Sequence, residues 1–96
     1  MAIQSFASHA VARFFLDGRL EKRVGWASQA HVAARKLDMV DYAERLADLA
    51  SPPGNRLEAL KGDRAGFHSI RINDRWRLVF RWTDRGPAEV NILDYH

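Results

Sequence analysis

Phe67-His68-Ser69-Ile70-Arg71-Ile72, then Asn73-Asp74-Arg75, then Trp76-Arg77-Leu78-Val79-Phe80-Arg81-Trp82: this stretch decides how the chain folds. Its period is two. Ile70 and Ile72 fall on one side of the first run, and Ser69 and Arg71 on the other. In the second run Trp76, Leu78, Phe80 and Trp82 share a side, while Arg75, Arg77, Val79 and Arg81 share the opposite one. Such alternation predicts two half-buried strands. A two-residue turn at Asn73-Asp74 would set Ile72 against Arg75 and mix apolar with charged side chains on both faces. A three-residue connection sets Ile72 against Trp76 and Ile70 against Leu78. Burial of one face selects the second register. That register also sets Arg71 directly opposite Arg77. Two like charges in that position repel unless an anion or a nearby carboxylate, such as Asp94, lies between them. The arginine face is therefore a candidate phosphate site.

Outward from the hairpin, Thr83-Asp84-Arg85-Gly86-Pro87 predicts a turn, and Ala88 to Leu93 a last strand with Val90 and Ile92 on its apolar side. Upstream the period lengthens. From Ser28, a candidate N-cap, Ala30, Ala33, Leu37, Val40, Ala43, Leu46 and Leu49 recur at steps of three and four. That spacing predicts one long helix with an Asp41–Arg45 pair on its polar side. Ser51-Pro52-Pro53-Gly54-Asn55 ends it, since proline cannot continue a helix. A first helix is predicted over Ala7 to Asp17, stopped by Gly18, and a short edge strand over Ile3 to Phe6. The expected fold is α+β, in the order β-α-α-β-β-β, with two helices on one face of an antiparallel sheet. All 96 residues form a single domain.

Composition narrows the function classes. There is no cysteine, so no disulfide framework or thiolate metal site is available. No apolar run is long enough to span a bilayer, and the start lacks a signal-peptide pattern. A membrane role is not expected, and a cytoplasmic location, in a reducing cytosol, is. The formal net charge is +3, but it is concentrated. Arg56 to Arg81 holds seven basic residues (Arg56, Lys61, Arg64, Arg71, Arg75, Arg77, Arg81) against three acidic ones (Glu58, Asp63, Asp74), a local charge of +4. Twelve of the fifteen basic residues are arginine, whose planar fork matches phosphate. Either a solvated basic face or a nucleic-acid face accounts for this.

The run from Pro52-Pro53-Gly54-Asn55-Arg56-Leu57-Glu58-Ala59-Leu60-Lys61-Gly62-Asp63-Arg64 continues through Gly66-Phe67-His68-Ser69-Ile70-Arg71-Ile72-Asn73, Trp76-Arg77-Leu78-Val79-Phe80 and the closing Asp94-Tyr95-His96. Taken together, this resembles the HigB-type branch of the RelE/ParE toxin superfamily, over essentially the whole chain. The resemblance implies a RelE-like fold that enters the ribosomal A site and cuts mRNA. It also implies a helix-turn-helix antitoxin that binds the toxin and represses the shared operon, so that DNA is met only through that complex. In some family members a histidine stands two residues before the Leu-Lys-Gly-Asp-Arg motif. Here that position carries Glu58, read either as a substitute base or as an ion-pair partner of Arg56 or Arg64.

RNA cleavage without a metal needs a base for the 2′-hydroxyl, an acid for the leaving 5′-oxygen, cations for the phosphate charge, and an in-line geometry. No cofactor or metal ligand set is expected, the four histidines being scattered. Raised by the resemblance, the candidates for the phosphate charge are Arg77, then Lys61, Arg64 and Arg71, with Arg56 beside them. His96 is the candidate proton-transfer residue, because a histidine titrates near neutrality, and Asp94 is placed to orient it. Tyr95 is a candidate for stacking on a base or touching the phosphate. His68 reads as a core or edge histidine, and His9 and His31 as structural. Two other functions remain open: a ParE-like toxin that poisons gyrase and cuts nothing, and a non-catalytic RNA-binding or regulatory domain on the same scaffold.

Overall fold

A computed structural model describes residues 1–95. Two helices pack on one face of a four-stranded antiparallel meander. They are α1 (His9–Asp17) and α2 (Ala30–Tyr42), and the strands are β1 (Glu58–Ala59), β2 (Phe67–Arg71), β3 (Trp76–Thr83) and β4 (Gly86–Asp94). The predicted hairpin register is the one formed. Ile70 lies opposite Leu78 and Arg71 opposite Arg77, and the Ile72 amide donates to the Trp76 carbonyl at 3.0 Å. The core is what the alternation selects: Ile70, Ile72, Leu78, Phe80, Val90 and Ile92 from the sheet meet Val11, Ala33, Leu37 and Val40 from the helices.

Helix α1 starts where Ser8 caps it, its hydroxyl accepting from the Val11 amide. It ends at Gly18, which takes the left-handed conformation (φ 70°) that closes a helix most cheaply in glycine. Gly25 is needed for a different reason. A Cβ there would stand 2.6 Å from the Trp76 ring, so the loop before α2 comes too close to that indole for any side chain at this position.

Three expectations are corrected. The segment Ile3 to Phe6 forms only an isolated parallel bridge, Phe6 to Val90, rather than an edge strand. It still covers the outer edge of β4: the Gln4 amide donates to Pro87, the Val90 amide to Ser5, and the Ala7 amide to Val90. Two residues further on, Ser8 already turns the chain into α1, which leaves no length for a ladder. Second, the long helix is broken. Ser28 lies in a 3-10 turn (Ala27–Gln29) and caps nothing; α2 stops at Tyr42; Ala43 is extended, and a 3-10 turn covers Leu46–Ala50. Asp48 accounts for the restart. Its carboxylate accepts from the Glu44 and Arg45 amides, both at 3.0 Å, so the backbone exchanges helical hydrogen bonds for a side-chain cap. Asp41 does not pair with Arg45; it accepts from the Ile3 amide at 2.9 Å. Third, the sheet gains β1, whose Glu58 lies opposite Ser69.

The Asp48 cap gives a pH-dependent expectation. Hydrogen bonds from the Arg45 amide, and then from the Glu44 amide, hold its carboxyl below the usual carboxylate range. A depressed folded-state pKa contributes stability above the unfolded value of about 3.9, lost as pH falls through the folded value. Asp48→Asn keeps an acceptor but removes the charge. Thermal melts should therefore show the variant less stable than wild type at pH 7, with the gap closing on acidification below the carboxylate range. An unchanged gap would assign the cap no electrostatic role.

Candidate functional site

The helix-free face of the sheet carries Glu58 from β1, Ser69 and Arg71 from β2, and Arg77 and Val79 from β3. It is not a plane of solvated charges. Ser69 and Val79, opposite each other in register, are both fully buried. Long side chains reach across that ground. The Arg77 side chain is only 12% exposed, and three groups hold its guanidinium: Nη1 donates to the Arg56 carbonyl at 3.2 Å and to Ser69 Oγ at 3.0 Å, and Nη2 donates to Glu58 Oε1 at 2.8 Å. An arginine offers five N–H donors. Among the described residues three are spent on fixing its position, and the other two make no hydrogen bond there.

Tyr95 completes this arrangement. Its backbone amide donates to the Arg75 carbonyl, and its ring lies with the Arg77 guanidinium 5.6 Å from its centroid. Tyr95 is 41% exposed, so part of the residue stays open to a ligand. Phe67 and Arg81 form a second cation–ring contact on the same face, at 4.7 Å, with Arg81 also paired to Glu89.

The repulsion expected between Arg71 and Arg77 is relieved locally. Arg71 pairs with Asp74 in the turn, and Arg77 pairs with Glu58. Asp94, expected as a neutralising group for this pair or as the orienter of a histidine, holds Arg75 Nε through Oδ2 at 2.8 Å. Arg71, half-exposed, and Asp74 form a surface pair; the hydrogen bond from Arg71, then its charge, hold the Asp74 carboxyl below its ordinary range.

Of the predicted residues, the fold brings Arg77, Glu58, Arg56 and Tyr95 into one contact group, with Arg71 adjacent in register. Arg56 enters through its carbonyl, with its side chain exposed. Lys61 and Arg64 are exposed around the turn Gly62–Arg64 that joins β1 to β2, and among the described residues neither contacts Arg77. Arg64 forms no ion pair with Asp63 or Glu58 there. His96 lies outside the described residues. His68 turns toward the core side as expected, its ring stacked on Phe80 with centroids 6.4 Å apart.

Two participants escaped the sequence reading. Ser69 holds Arg77 directly, and alternation had already placed it on the arginine face. Asn55, fully buried, precedes the residue whose carbonyl holds Arg77, and it carried no signal, because a buried asparagine in a proline-rich loop looks like any turn residue.

Comparison with known proteins agrees with this architecture. Residues 4–96 match the family described as the RelE-like toxin of type II toxin-antitoxin system HigB. Toxin HigB-1 of Vibrio cholerae is 38% identical over 96 residues, covering 100% of this chain and 98% of that protein. Endoribonuclease HigB of Proteus vulgaris is 31% identical over 71 residues, covering 68% of this chain and 77% of that one. Among solved structures, a YoeB/ParE toxin from Agrobacterium tumefaciens superposes with a TM-score of 0.52 over 100% of this chain and 99% of its own, at 19% identity, which speaks for the fold. With its antiparallel sheet, its helix pair and a full-length relative that is a HigB toxin, the chain belongs to the HigB-like family of RelE-like toxins of type II toxin–antitoxin systems.

Proposed function

We propose that this toxin is an endoribonuclease that cuts translated mRNA in the ribosomal A site and so arrests translation. The observation that carries this reading is Arg77: a guanidinium held by three protein acceptors on the helix-free sheet face, with two donors unengaged among the described residues and an aromatic ring beside it. The name of the Proteus vulgaris relative points to the same chemistry.

Cleavage proceeds by attack of a 2′-oxygen on the adjacent phosphorus. The 2′-hydroxyl proton passes to a base, the bond to the 5′-oxygen breaks, and that oxygen takes a proton from an acid. Arg77 stabilises the negative charge that builds on the non-bridging oxygens, and because it is already fixed, no reorganisation is needed at the moment of reaction. Arg71, Lys61, Arg64 and Arg56 supply cationic ground along which the flanking phosphates lie. Glu58 and His96 are the two candidates for proton transfer. Arg77 occupies Oε1 of Glu58, while Oε2 carries no hydrogen bond among the described residues and is the oxygen available as a base. Tyr95 offers its exposed ring to an unstacked base.

The shape of this face supports the proposed dependence on the ribosome. No enclosed pocket forms among the described residues, so nothing there grips a flexible phosphodiester in line. A ribosome holding the codon supplies that geometry. Purified toxin is therefore expected to cut ribosome-bound mRNA and to leave the same RNA largely intact when free. Equal rates on the two substrates would refute ribosome dependence. The antitoxin partner that a type II system entails is proposed to be a helix-turn-helix protein that also represses the shared operon.

A further inference from the structure

We propose that Lys36 and Asn55 are positioning residues of the cleavage site, acting through the Arg56 carbonyl on Arg77; this rests on the endonuclease reading above. Asn55 is 0% exposed, and its amide is fully engaged. Nδ2 donates to the Leu49 carbonyl at 3.1 Å and the Ser51 carbonyl at 3.3 Å, and Oδ1 accepts from the Lys36 ammonium. Lys36 comes from α2 and is itself buried, at 8%. Among the described residues it has no carboxylate partner. A buried ammonium served by a neutral amide is an expensive way to fill a core, where an apolar pair would pack at lower cost. Burial, then the nearby Arg35 and Arg71 charges, push the Lys36 pKa below that of a free lysine, in keeping with that cost.

The next residue shows what the arrangement achieves. Arg56 sits in the left-handed region, φ 48° and ψ 55°, which is unfavourable for a residue with a Cβ. Glycine stands two residues earlier, at Gly54, which is not at positive φ, so the loop does not put its most tolerant residue where the strain falls. Strain of this kind persists only where the surroundings over-determine it. The Asn55 side chain is pinned by four partners, Lys36, the Leu49 and Ser51 carbonyls and Met39 Sδ. Next to it the Arg56 carbonyl receives Arg77 Nη1. Lys36, Asn55, the Arg56 backbone and Arg77 thus form one chain of hydrogen bonds and covalent links from α2 to the helix-free face. Removing its buried end frees the Arg56 carbonyl to turn away. Arg77 then keeps only Ser69 and Glu58, and its two remaining donors shift from where a phosphate would meet them.

Lys36→Met keeps the apolar stem and removes the donor; Asn55→Asp keeps the shape and removes the Nδ2 donors, and decides the matter if the methionine variant does not fold. Each is compared with wild type in single-turnover cleavage of ribosome-bound mRNA, in thermal melting, and by the Arg77 Nε–H resonance in 15N NMR of the free toxin. The expected result is a folded protein whose rate at saturating ribosomes falls about 10- to 100-fold, with the half-saturating ribosome concentration little changed. The Arg77 resonance should move, and Lys36→Arg should recover part of the rate. Val11→Ala, a core truncation in α1 outside this network, is the control for stability: matched in melting loss, it should cut at nearly the wild-type rate while folded. Wild-type rates in both network variants, or an equal loss in Val11→Ala, would overturn the proposal. A wild-type chain that leaves ribosome-bound mRNA intact, while Lys36→Met still moves the Arg77 resonance, overturns the cutting reading and retains the positioning. An unmoved resonance overturns the positioning itself.

Discussion

Arg77→Ala is expected to slow cleavage of ribosome-bound mRNA by about 100- to 1,000-fold, the loss typical when a preorganised donor to a developing oxyanion is removed. The effect should be large because Arg77 is the best-fixed cation on the face. Its guanidinium is tied to a backbone carbonyl, a buried hydroxyl and a carboxylate, and it carries the aromatic contact to Tyr95. Arg77→Lys keeps a charge but not the fork, so it should restore only part of the rate. The fold should survive. The truncation leaves Ser69 Oγ buried without its donor, a cost of about 1–3 kcal/mol, which lowers the melting temperature but removes none of the apolar core on the opposite face. Growth on induction reports the same result in cells: the alanine variant should be tolerated where the wild type arrests. An Arg77→Ala protein that cuts within a few-fold of wild type would remove the central cation from the mechanism.

The second large effect is expected at the end of the chain. Deleting His96, or replacing it with alanine, should strongly reduce toxicity while leaving the fold intact. His96 lies outside the described residues, so the motive is its neighbour: Tyr95 rests against the Arg77 guanidinium, and the residue following it in the chain is the histidine. A histidine side chain exchanges protons near neutral pH, which none of the arginines does. The matched variant is Glu58→Gln, which keeps a hydrogen bond to Arg77 and removes the carboxylate. If His96→Ala abolishes cutting and Glu58→Gln does not, His96 transfers the proton. If the reverse holds, Glu58 is the base, and its pairing with Arg77 is the catalytic geometry. The bond of Asp94 to Arg75 makes Asp94→Asn informative as well: loss of activity without loss of the strand end would assign it to the site rather than to that ion pair.

Much of this face was legible before the structure, and the reasons differ by residue. The pairing of Ile70 with Leu78 and of Arg71 with Arg77 follows from alternation alone, because a slip of one residue would bury charge. The break after Tyr42 was not legible. The apolar spacing runs on through Leu46 and Leu49 because both remain on the core side, so periodicity reports burial and is blind to a cap such as Asp48. Strand β1 has two residues, too few to show any period, and it brings Glu58 to Arg77 across 19 positions of sequence. The opposite error, a strand expected over Ile3 to Phe6, came from reading apolar content as pairing. That segment does lie along β4, but it makes a single bridge. Lys36 falls outside the apolar spacing of Ala33, Leu37 and Val40 and is buried all the same, because its partner Asn55 arrives from a loop that no helical pattern predicts.

The claim that this toxin cuts mRNA on the ribosome is tested most directly by inducing it in growing bacterial cells and mapping the 5′ ends of mRNA across the transcriptome. The account predicts new ends inside translated regions, in register with codons, absent from untranslated segments and absent in the Arg77→Ala strain. Growth arrest without such ends, or with ends spread equally over untranslated RNA, would contradict it.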